Sequence, residues 1–325
     1  MSLARRRCPS VLLLAAAIVV PACGGADAPA GAPLVPLGTA PASTEPARGL
    51  IFFLPRELPG DLEVRIASTS PGAPEQQGGT AVVIGRPSGD EFVDVVRALV
   101  ADAVADRDIG PDEEALIRRV ELNGRMVRLI DNEGTHTTAV EWFEGGRAIA
   151  VFGPAGRSDL VLEVAGALDL DRRGPDLLPS LPAGYVRLGS TTVGAGAAPN
   201  WTMVLTSSSA TAAPWSVNLD GSYVAGGADP VSLLGGSGPI SAVTVRGAVG
   251  LASTTASRPA AGGPGTIITT LAWRERPDLA IVMRGTADRA ALVALAETLA
   301  EVDEATFTAA GTLRVASPAP PTSRP

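Results

Sequence analysis

The hydrophobic pattern between residues 139 and 168 describes two strands followed by a helix. Apolar and polar residues alternate over 139–143, a turn follows at Gly145-Gly146, and a second apolar strand covers 148–152. The next segment repeats apolar residues at helical spacing, at Val161, Val164, Ala165 and Leu168. The pattern therefore predicts a strand, a turn, a strand and an amphipathic helix over 159–168.

The same order of elements recurs near the C terminus. A strand with Leu271 and Trp273 on one face precedes a turn at 276–278 and a second strand over 280–284, and a helix is predicted over 288–299. Because side chains two positions apart share a strand face, we expect each helix to cover the face that carries its tryptophan. Trp142 and Trp273 are therefore predicted to be structural core residues.

Similar segments at a regular offset indicate an internal repeat. Residues 58–62 resemble 181–185, and 120–124 resemble 243–247, each 123 positions apart, while the two strand–turn–strand units lie about 131 apart. A longer loop over 256–265 accounts for the change in offset. We predict an α+β fold with two tandem similar domains, each an antiparallel sheet packed on a C-terminal amphipathic helix. Their predicted ranges are 50–174 and 175–315.

Ahead of these units the two copies are predicted to differ. The first has a helical stripe formed by Phe92, Val95, Val96, Leu99, Val100 and Ala103, which predicts a further helix. The second is predicted to form strands over 201–206 and 215–219, followed by a turn at Asp220-Gly221. Asn123-Gly124 in the first copy is a strong signal for a two-residue hairpin.

Residues 1–22 have the pattern of an export signal peptide. Arg5, Arg6 and Arg7 precede an unbroken apolar run of ten residues, and Ala22 is a small residue that a signal peptidase accepts. Ten helical residues span about 15 Å, half of a hydrocarbon core of about 30 Å, which excludes a transmembrane helix here. Export by the Sec pathway and export by the twin-arginine pathway both remain open.

The segment Val20-Pro21-Ala22-Cys23 resembles the lipobox of a bacterial lipoprotein. The resemblance implies a diacylglyceryl group on Cys23 and a mature chain anchored to the outside of the bacterial membrane, in the cell envelope. The alternative is a secreted protein that is cut at the same bond and keeps a free thiol. Residues 23–49 predict a disordered tether that extends up to about 80 Å, and 316–325 predict a disordered tail.

The composition excludes several classes of function. All 26 basic residues are arginine, His136 is the only histidine, and Cys8 and Cys23 are the only cysteines. Lysine-based catalysis and a three-histidine zinc site are therefore excluded, and we expect no cofactor and no metal. Cleavage removes three arginines, which leaves 23 against 34 acidic residues and a charge of −11. This charge disfavours nucleic acid as a partner.

Several motifs resemble a family of extracytoplasmic domains of unknown function that are often attached to anti-sigma-factor proteins. They are Leu181-Pro182-Ala183-Gly184-Tyr185, Val245-Arg246-Gly247, Trp273-Arg274-Glu275, Gly285 and the helix over 288–299. The resemblance implies sensing or ligand binding in the envelope and provides no catalytic residues. We expect a noncatalytic binding or regulatory lipoprotein whose partner is an envelope protein or a small apolar ligand. A carrier of apolar or lipid ligands is the alternative, and a carboxylate-dependent hydrolase is a more remote one.

Overall fold

Antiparallel strands make up most of the fold. The structure, a computed structural model, describes the chain in segments that begin with residue 50 and end with residue 312. These segments are 50–60, 62–70, 78–102, 115–132, 136–193, 199–207, 216–223, 229–234, 238–257 and 266–312.

The described residues before 167 form eight strands and one helix. They are β1 (Phe52–Pro55), β2 (Leu62–Ser70), β3 (Gly79–Ser88), β4 (Glu91–Asp102), β5 (Ala115–Leu122), β6 (Arg125–Asn132), β7 (Thr137–Glu144), β8 (Arg147–Pro154) and α1 (Ser158–Gly166). The tryptophan strand of the first repeat is β7, and α1 agrees with the helix predicted over 159–168.

The second part of the described chain begins with a 3₁₀ turn at Gly174–Leu177. It continues with β9 (Val186–Val193), β10 (Asn200–Ser207), β11 (Ser216–Tyr223), α2 (Pro230–Leu233), β12 (Ile240–Val245), β13 (Ala248–Ser257), β14 (Thr266–Arg276), β15 (Leu279–Gly285), α3 (Arg289–Glu297), β16 (Leu299–Val302) and α4 (Glu304–Ala310). The helix predicted over 288–299 is α3, and Asp288 caps its N terminus with a carboxylate that accepts a hydrogen bond from Ala291 N–H at 2.8 Å.

Fourteen of the described strands form one sheet, and β1 pairs with β16 in a separate ribbon. The sheet has two parts with the same arrangement. The first half-sheet has the order β9-β3-β4-β8-β7-β6-β5, and the second half-sheet has the order β2-β10-β11-β15-β14-β13-β12. The two join where Ile240 and Ser241 of β12 pair with Phe92 and Glu91 of β4. An α+β fold dominated by antiparallel sheet is therefore correct.

Four of the described strand pairings cross the predicted boundary between residues 174 and 175, and two of them exchange the outermost strands of the half-sheets. Strand β2, from the first repeat, pairs with β10 of the second, and β9, from the second repeat, pairs with β3 of the first. Both pairings are antiparallel and extend over most of each strand. Two domains that each build a sheet from their own strands are therefore not confirmed, because each half-sheet takes its outermost strand from the other repeat.

The helix predicted from Phe92 to Ala103 is wrong, because residues 91–102 form strand β4. Asp94 and Val95 lie opposite the single residue Gly85 in a β-bulge, and Asp94 has a φ of 49°. The extra residue places Phe92 and Val95 on one strand face, three positions apart. This spacing imitates a helix.

The carboxylate of Asp94 is held by two arginines at the bulge. Arg86 donates to its Oδ2 at 2.7 Å, and Arg157 donates to the same oxygen at 2.7 Å. Burial raises the pKa of Asp94, but the two arginines outweigh burial and hold the pKa below its usual value. The ion pairs thus stabilise the strained backbone at the bend of β4.

The predicted hairpins have mixed outcomes. Asn123-Gly124 is confirmed as the turn between β5 and β6, with φ of 53° and 77°. The turn predicted at Asp220-Gly221 is wrong, because both residues lie inside β11. A Cβ at residue 221 would collide with the indole of Trp201 on the neighbouring strand, so glycine is required by packing and not by a turn. The neighbouring Trp215 lies outside the described residues.

The core has three layers. Helix α1 packs on one face of the first half-sheet, and α3, α4 and β1 pack on one face of the second. The two remaining faces meet where β3, β4 and β9 pack against β12–β15, with α2 between them. Buried apolar residues fill this central layer, namely Val83, Phe92, Val95, Leu188, Val231, Leu234, Ile240, Leu251, Ala272 and Val282.

Candidate functional site

The predicted lipidation site, Cys23, lies outside the described residues, as does the rest of the segment 1–49. Lipidation therefore stays a prediction. The two predicted core tryptophans are described. Trp273 on β14 is fully buried against α3, whereas Trp142 on β7 is half-buried at the rim of the core beneath α1.

Trp273 belongs to a compact polar cluster, the second cluster, formed by Arg246, Trp273 and Glu275. Glu275 accepts hydrogen bonds from Trp273 Nε1 at 2.8 Å and from Arg246 Nε at 2.9 Å. Arg246 also donates to the carbonyl of Ala296 in the last turn of α3, at 3.3 Å, and to that of Leu299 at the start of β16, at 2.5 Å. The guanidinium lies 5.4 Å from the ring centre of Phe53 on β1. The cluster ties the β12–β13 hairpin to β14, α3, β16 and β1.

The first cluster, formed by Arg125, Trp142 and Glu144, repeats the arrangement at the surface. Trp142 Nε1 donates to Glu144 at 3.0 Å, Arg125 forms an ion pair with the same carboxylate, and its guanidinium lies 5.7 Å from the Trp142 ring centre. The end of α1 is satisfied here by a different residue, because Asn123 Nδ2 donates to the carbonyl of Gly166 at 3.0 Å. Asn123 and Arg246 are the first residues of equivalent hairpin turns.

The face of the first half-sheet opposite α1 is the candidate binding surface, and we call it the open face. Strands β5–β8 and the C-terminal part of β4 build it in rows of cross-strand neighbours. The side chains that define it are Arg97, Ile117, Arg119, Glu121, Met126, Arg128, Ile130, Glu141, Phe143 and Phe152.

Burial changes gradually across the open face. Arg97 and Ala139 lie at the covered end, and Met126 and Phe143 lie near the β5–β6 and β7–β8 turns with 62% and 38% of their surface exposed. Isolated exposed apolar side chains are common, but these two lie on neighbouring strands and on one face. An apolar patch next to a charged row suits a partner with apolar anchors.

The charged row contains Glu141, Arg128 and Arg119, which are cross-strand neighbours. Burial raises the pKa of Glu141, and the nearby Arg128 only partly opposes this. One carboxylate oxygen of Glu141 is buried and has no hydrogen-bond partner within the described structure. At the covered end, burial lowers the pKa of Arg97 to about 10, with a contribution from Arg284. The open face thus combines apolar contacts with incompletely compensated charge.

Sequence reasoning missed this surface because the helix assigned to 92–103 removed β4 from the sheet. The alternation of Ile117, Arg119 and Glu121 was a signal that could have found it. Asp169 and Asp171 lie in a turn after α1, in which Asp169 accepts hydrogen bonds from the Asp171 backbone at 3.2 Å and from Arg172 at 2.9 Å. Across the described segments, no group of three His, Cys, Asp or Glu side chains is arranged to hold a metal ion.

Helices in the described part of the chain are all too short or too polar to cross a membrane. Comparison of the chain with family models, with curated proteins and with solved structures finds no match.

Proposed function

We propose that this chain is a noncatalytic cell-envelope lipoprotein that acts as a binding or regulatory module. In this proposal Cys23 carries the lipid, residues 24–49 form the tether, and the open face binds an envelope protein. The observation that carries the binding role is that Met126 and Phe143, two exposed apolar side chains, lie on neighbouring strands and on one sheet face. The resemblance to extracytoplasmic domains on anti-sigma-factor proteins supports the same role.

We further propose that the fold consists of two copies of one α+β module. The two half-sheets support this, because their strand orders agree element by element once β2 and β9 are exchanged. The hairpin turns at 123–124 and 246–247 support it too, since both have positive φ in both residues. The exchange of outermost strands then ties the copies into a single structure.

The alternative of an apolar-ligand carrier has less support. A carrier needs an apolar space between its layers, and the central layer here is filled by side chains of α2 and both half-sheets. The carrier alternative and the binding module differ in a measurable way. If native mass spectrometry of the purified protein detects near-stoichiometric bound lipid, beyond any anchor on Cys23, the result favours the carrier.

Anchoring is tested with Cys23→Ala in the full chain. We expect the wild type to partition into detergent and to incorporate labelled acyl chains, and the variant to lose both properties while its far-ultraviolet circular dichroism stays the same. Two acyl chains at about 0.8 kcal/mol per buried methylene far exceed any opposing effect of the acidic surface. If the wild-type protein is found in the aqueous phase with a free Cys23 thiol, the lipid anchor is contradicted and the alternative of a secreted protein takes its place.

Binding by the open face is tested with a photo-crosslinking residue at Met126 in living cells. Val249 is the matched control, because it lies two positions after the equivalent hairpin turn and is 61% exposed, against 62% for Met126. We expect a discrete adduct from position 126 that Phe143→Glu abolishes, and no such adduct from position 249. Equal adducts at both positions, or persistence with Phe143→Glu, would contradict the assignment of this face.

A further inference from the structure

Strand β5 ends the sheet with an edge that no described strand covers. The equivalent strand of the second half-sheet, β12, pairs through its outer edge with β4 at Ile240-Ser241. The architecture therefore already contains one example of an antiparallel strand docked on this kind of edge. An uncovered edge presents backbone N–H and C=O groups that readily pair with another strand.

The backbone groups that point outward from β5 can be identified from its hairpin. Leu122 and Arg125 flank a two-residue turn, and such a flanking pair exchanges both of its hydrogen bonds inside the hairpin. Because hydrogen-bonding direction alternates along a strand, residues 118, 120 and 122 also face β6. The outward groups belong to Ile117, Arg119 and Glu121.

Two of these outward residues carry opposite charges on the same face. The side chains of Arg119 and Glu121 are exposed, and neither makes an ion pair or hydrogen bond within the described part of the molecule. Arg119 has an additional unfavourable neighbour, because Arg128 lies directly opposite it on β6. Like charges at opposed positions destabilise a sheet, so a carboxylate on the other side of Arg119 would be favourable.

We propose that this edge joins two copies of the chain through antiparallel pairing of β5 with β5, centred on Val120. In that register Arg119 of each copy lies opposite Glu121 of the other, and both belong to hydrogen-bonded pairs. A shift by one residue per copy would place Arg119 opposite Arg119 in one direction and Glu121 opposite Glu121 in the other. Charge complementarity therefore selects this register. It also indicates that the partner strand at this edge is β5 of a second copy of the chain.

The dimer makes the two open faces continuous, since Arg119 and Glu121 lie on that face. Its centre at Val120 has a geometric consequence. Val120 of one copy lies opposite Val120 of the other in a non-hydrogen-bonded pair, with Cα atoms about 4.5 Å apart. This separation is within the range that a disulfide bond spans, about 4.4–6.8 Å.

A disulfide test in the intact envelope follows. We expect the full chain with Val120→Cys to form a covalent dimer on a non-reducing gel, at least about tenfold more than Arg118→Cys, whose two copies lie four residues apart in this register. Arg119→Glu added to Val120→Cys should reduce the dimer severalfold, and Arg119→Glu with Glu121→Arg should restore it. Equal dimer from positions 118 and 120 overturns the proposal, and so does failure of the charge exchange to restore it.

A second measurement avoids changes to the half-buried Val120. Sedimentation of the detergent-solubilised full chain should detect dimers for the wild type and for Arg119→Glu/Glu121→Arg, and monomers for each single change. A wild type that is monomeric at all concentrations overturns the proposal. The photo-crosslinking experiment at Met126 concerns β6 and a different partner. The outcome of one test therefore does not decide the other, and either proposal can be contradicted while the other stands.

Discussion

The two half-sheets carry the same tryptophan–glutamate–arginine arrangement in different surroundings. In the second cluster, Arg246 and Glu275 are 21% and 15% exposed, and strand β1 and the end of α3 cover them. In the first cluster, Arg125 and Glu144 are 36% and 45% exposed. The same contacts therefore contribute more to the stability of the fold in the second cluster. In the first cluster, water screens the charges and competes for the hydrogen bonds.

The difference indicates a division of roles between the repeats. The second half-sheet uses its cluster to join the hairpin, α3 and β1, and the central layer covers the middle of its other face, at Leu251, Ala272 and Val282. The first half-sheet leaves its cluster, and part of the opposite face, accessible to solvent. We therefore expect changes in the second half-sheet to affect stability and changes in the first to affect binding.

The largest effect is expected from the two tryptophans. Trp273→Ala removes a fully buried side chain and should lower the free energy of unfolding by about 3–5 kcal/mol. Trp142→Ala, at a half-buried position, should cost roughly 1–2 kcal/mol. Both are measured by urea unfolding followed by circular dichroism.

The same measurement tests how the halves are coupled. Because β2 and β9 are exchanged between the half-sheets, we expect one cooperative transition that Trp273→Ala shifts as a whole. Two resolved transitions, of which Trp273→Ala moves only one, would contradict this coupling and support independent domains.

The arginines of the two clusters give the next largest difference. Arg246→Met leaves the half-buried Glu275 without its ion pair and removes a donor from the carbonyls of Ala296 and Leu299, which should cost about 2–3 kcal/mol. Arg125→Met removes an exposed pair and should cost at most about 1 kcal/mol. Thermal unfolding in low and high salt checks both. Equal costs for the two variants would show that burial does not distinguish the clusters.

Opposed residues on the inner strands extend the comparison. In the second half-sheet Trp201 lies opposite Gly221. The corresponding pair in the first half-sheet is Thr80 opposite Val100. Gly221→Ala should cost about 1–3 kcal/mol because the new methyl group meets the indole. In the background of Trp201→Leu the same change should cost less than about 0.5 kcal/mol. An unchanged cost would point to strand backbone effects instead of packing.

Local signals predicted the local parts of this fold. Asn123-Gly124 was recognisable because a two-residue hairpin needs positive φ, and glycine and asparagine accept it at low cost. Helices α1 and α3 were recognisable from apolar residues at helical spacing. The two misassigned segments have a common cause. The helical spacing after Phe92 results from a β-bulge, and the glycine at 221 is required by the indole ring of Trp201. Both features depend on a neighbouring strand, which local sequence does not reveal.

The strand exchange was beyond sequence reasoning for a physical reason. Strands β2 and β9 follow similar turns, at Gly60 and Gly184, with φ of 60° and 81°. Either strand suits the outer edge of either half-sheet by local pattern alone. Tertiary packing selects the crossed pairing, and the open face formed by distant strands was hidden for the same reason.

The smallest effect concerns the charge at the middle of the open face. Glu141 on β7 corresponds to Ala272 on β14, which the central layer covers. Burial raises the pKa of Glu141 in the folded protein, so folding disfavours its charged form. This destabilisation is present at neutral pH and disappears as the pH falls through the raised pKa. Glu141→Gln should therefore unfold at a slightly higher temperature than the wild type at pH 7.

The pH dependence separates this effect from a general gain in packing. Below about pH 4 the wild-type carboxylate is protonated in both states, so the difference between Glu141→Gln and wild type should vanish. Glu163→Gln, an exposed change on α1, is the matched control and should leave the midpoint unchanged at both pH values. A stabilisation by Glu141→Gln that persists at low pH would mean that the amide gains a hydrogen bond, and that the open face does not bury an unfavourable charge.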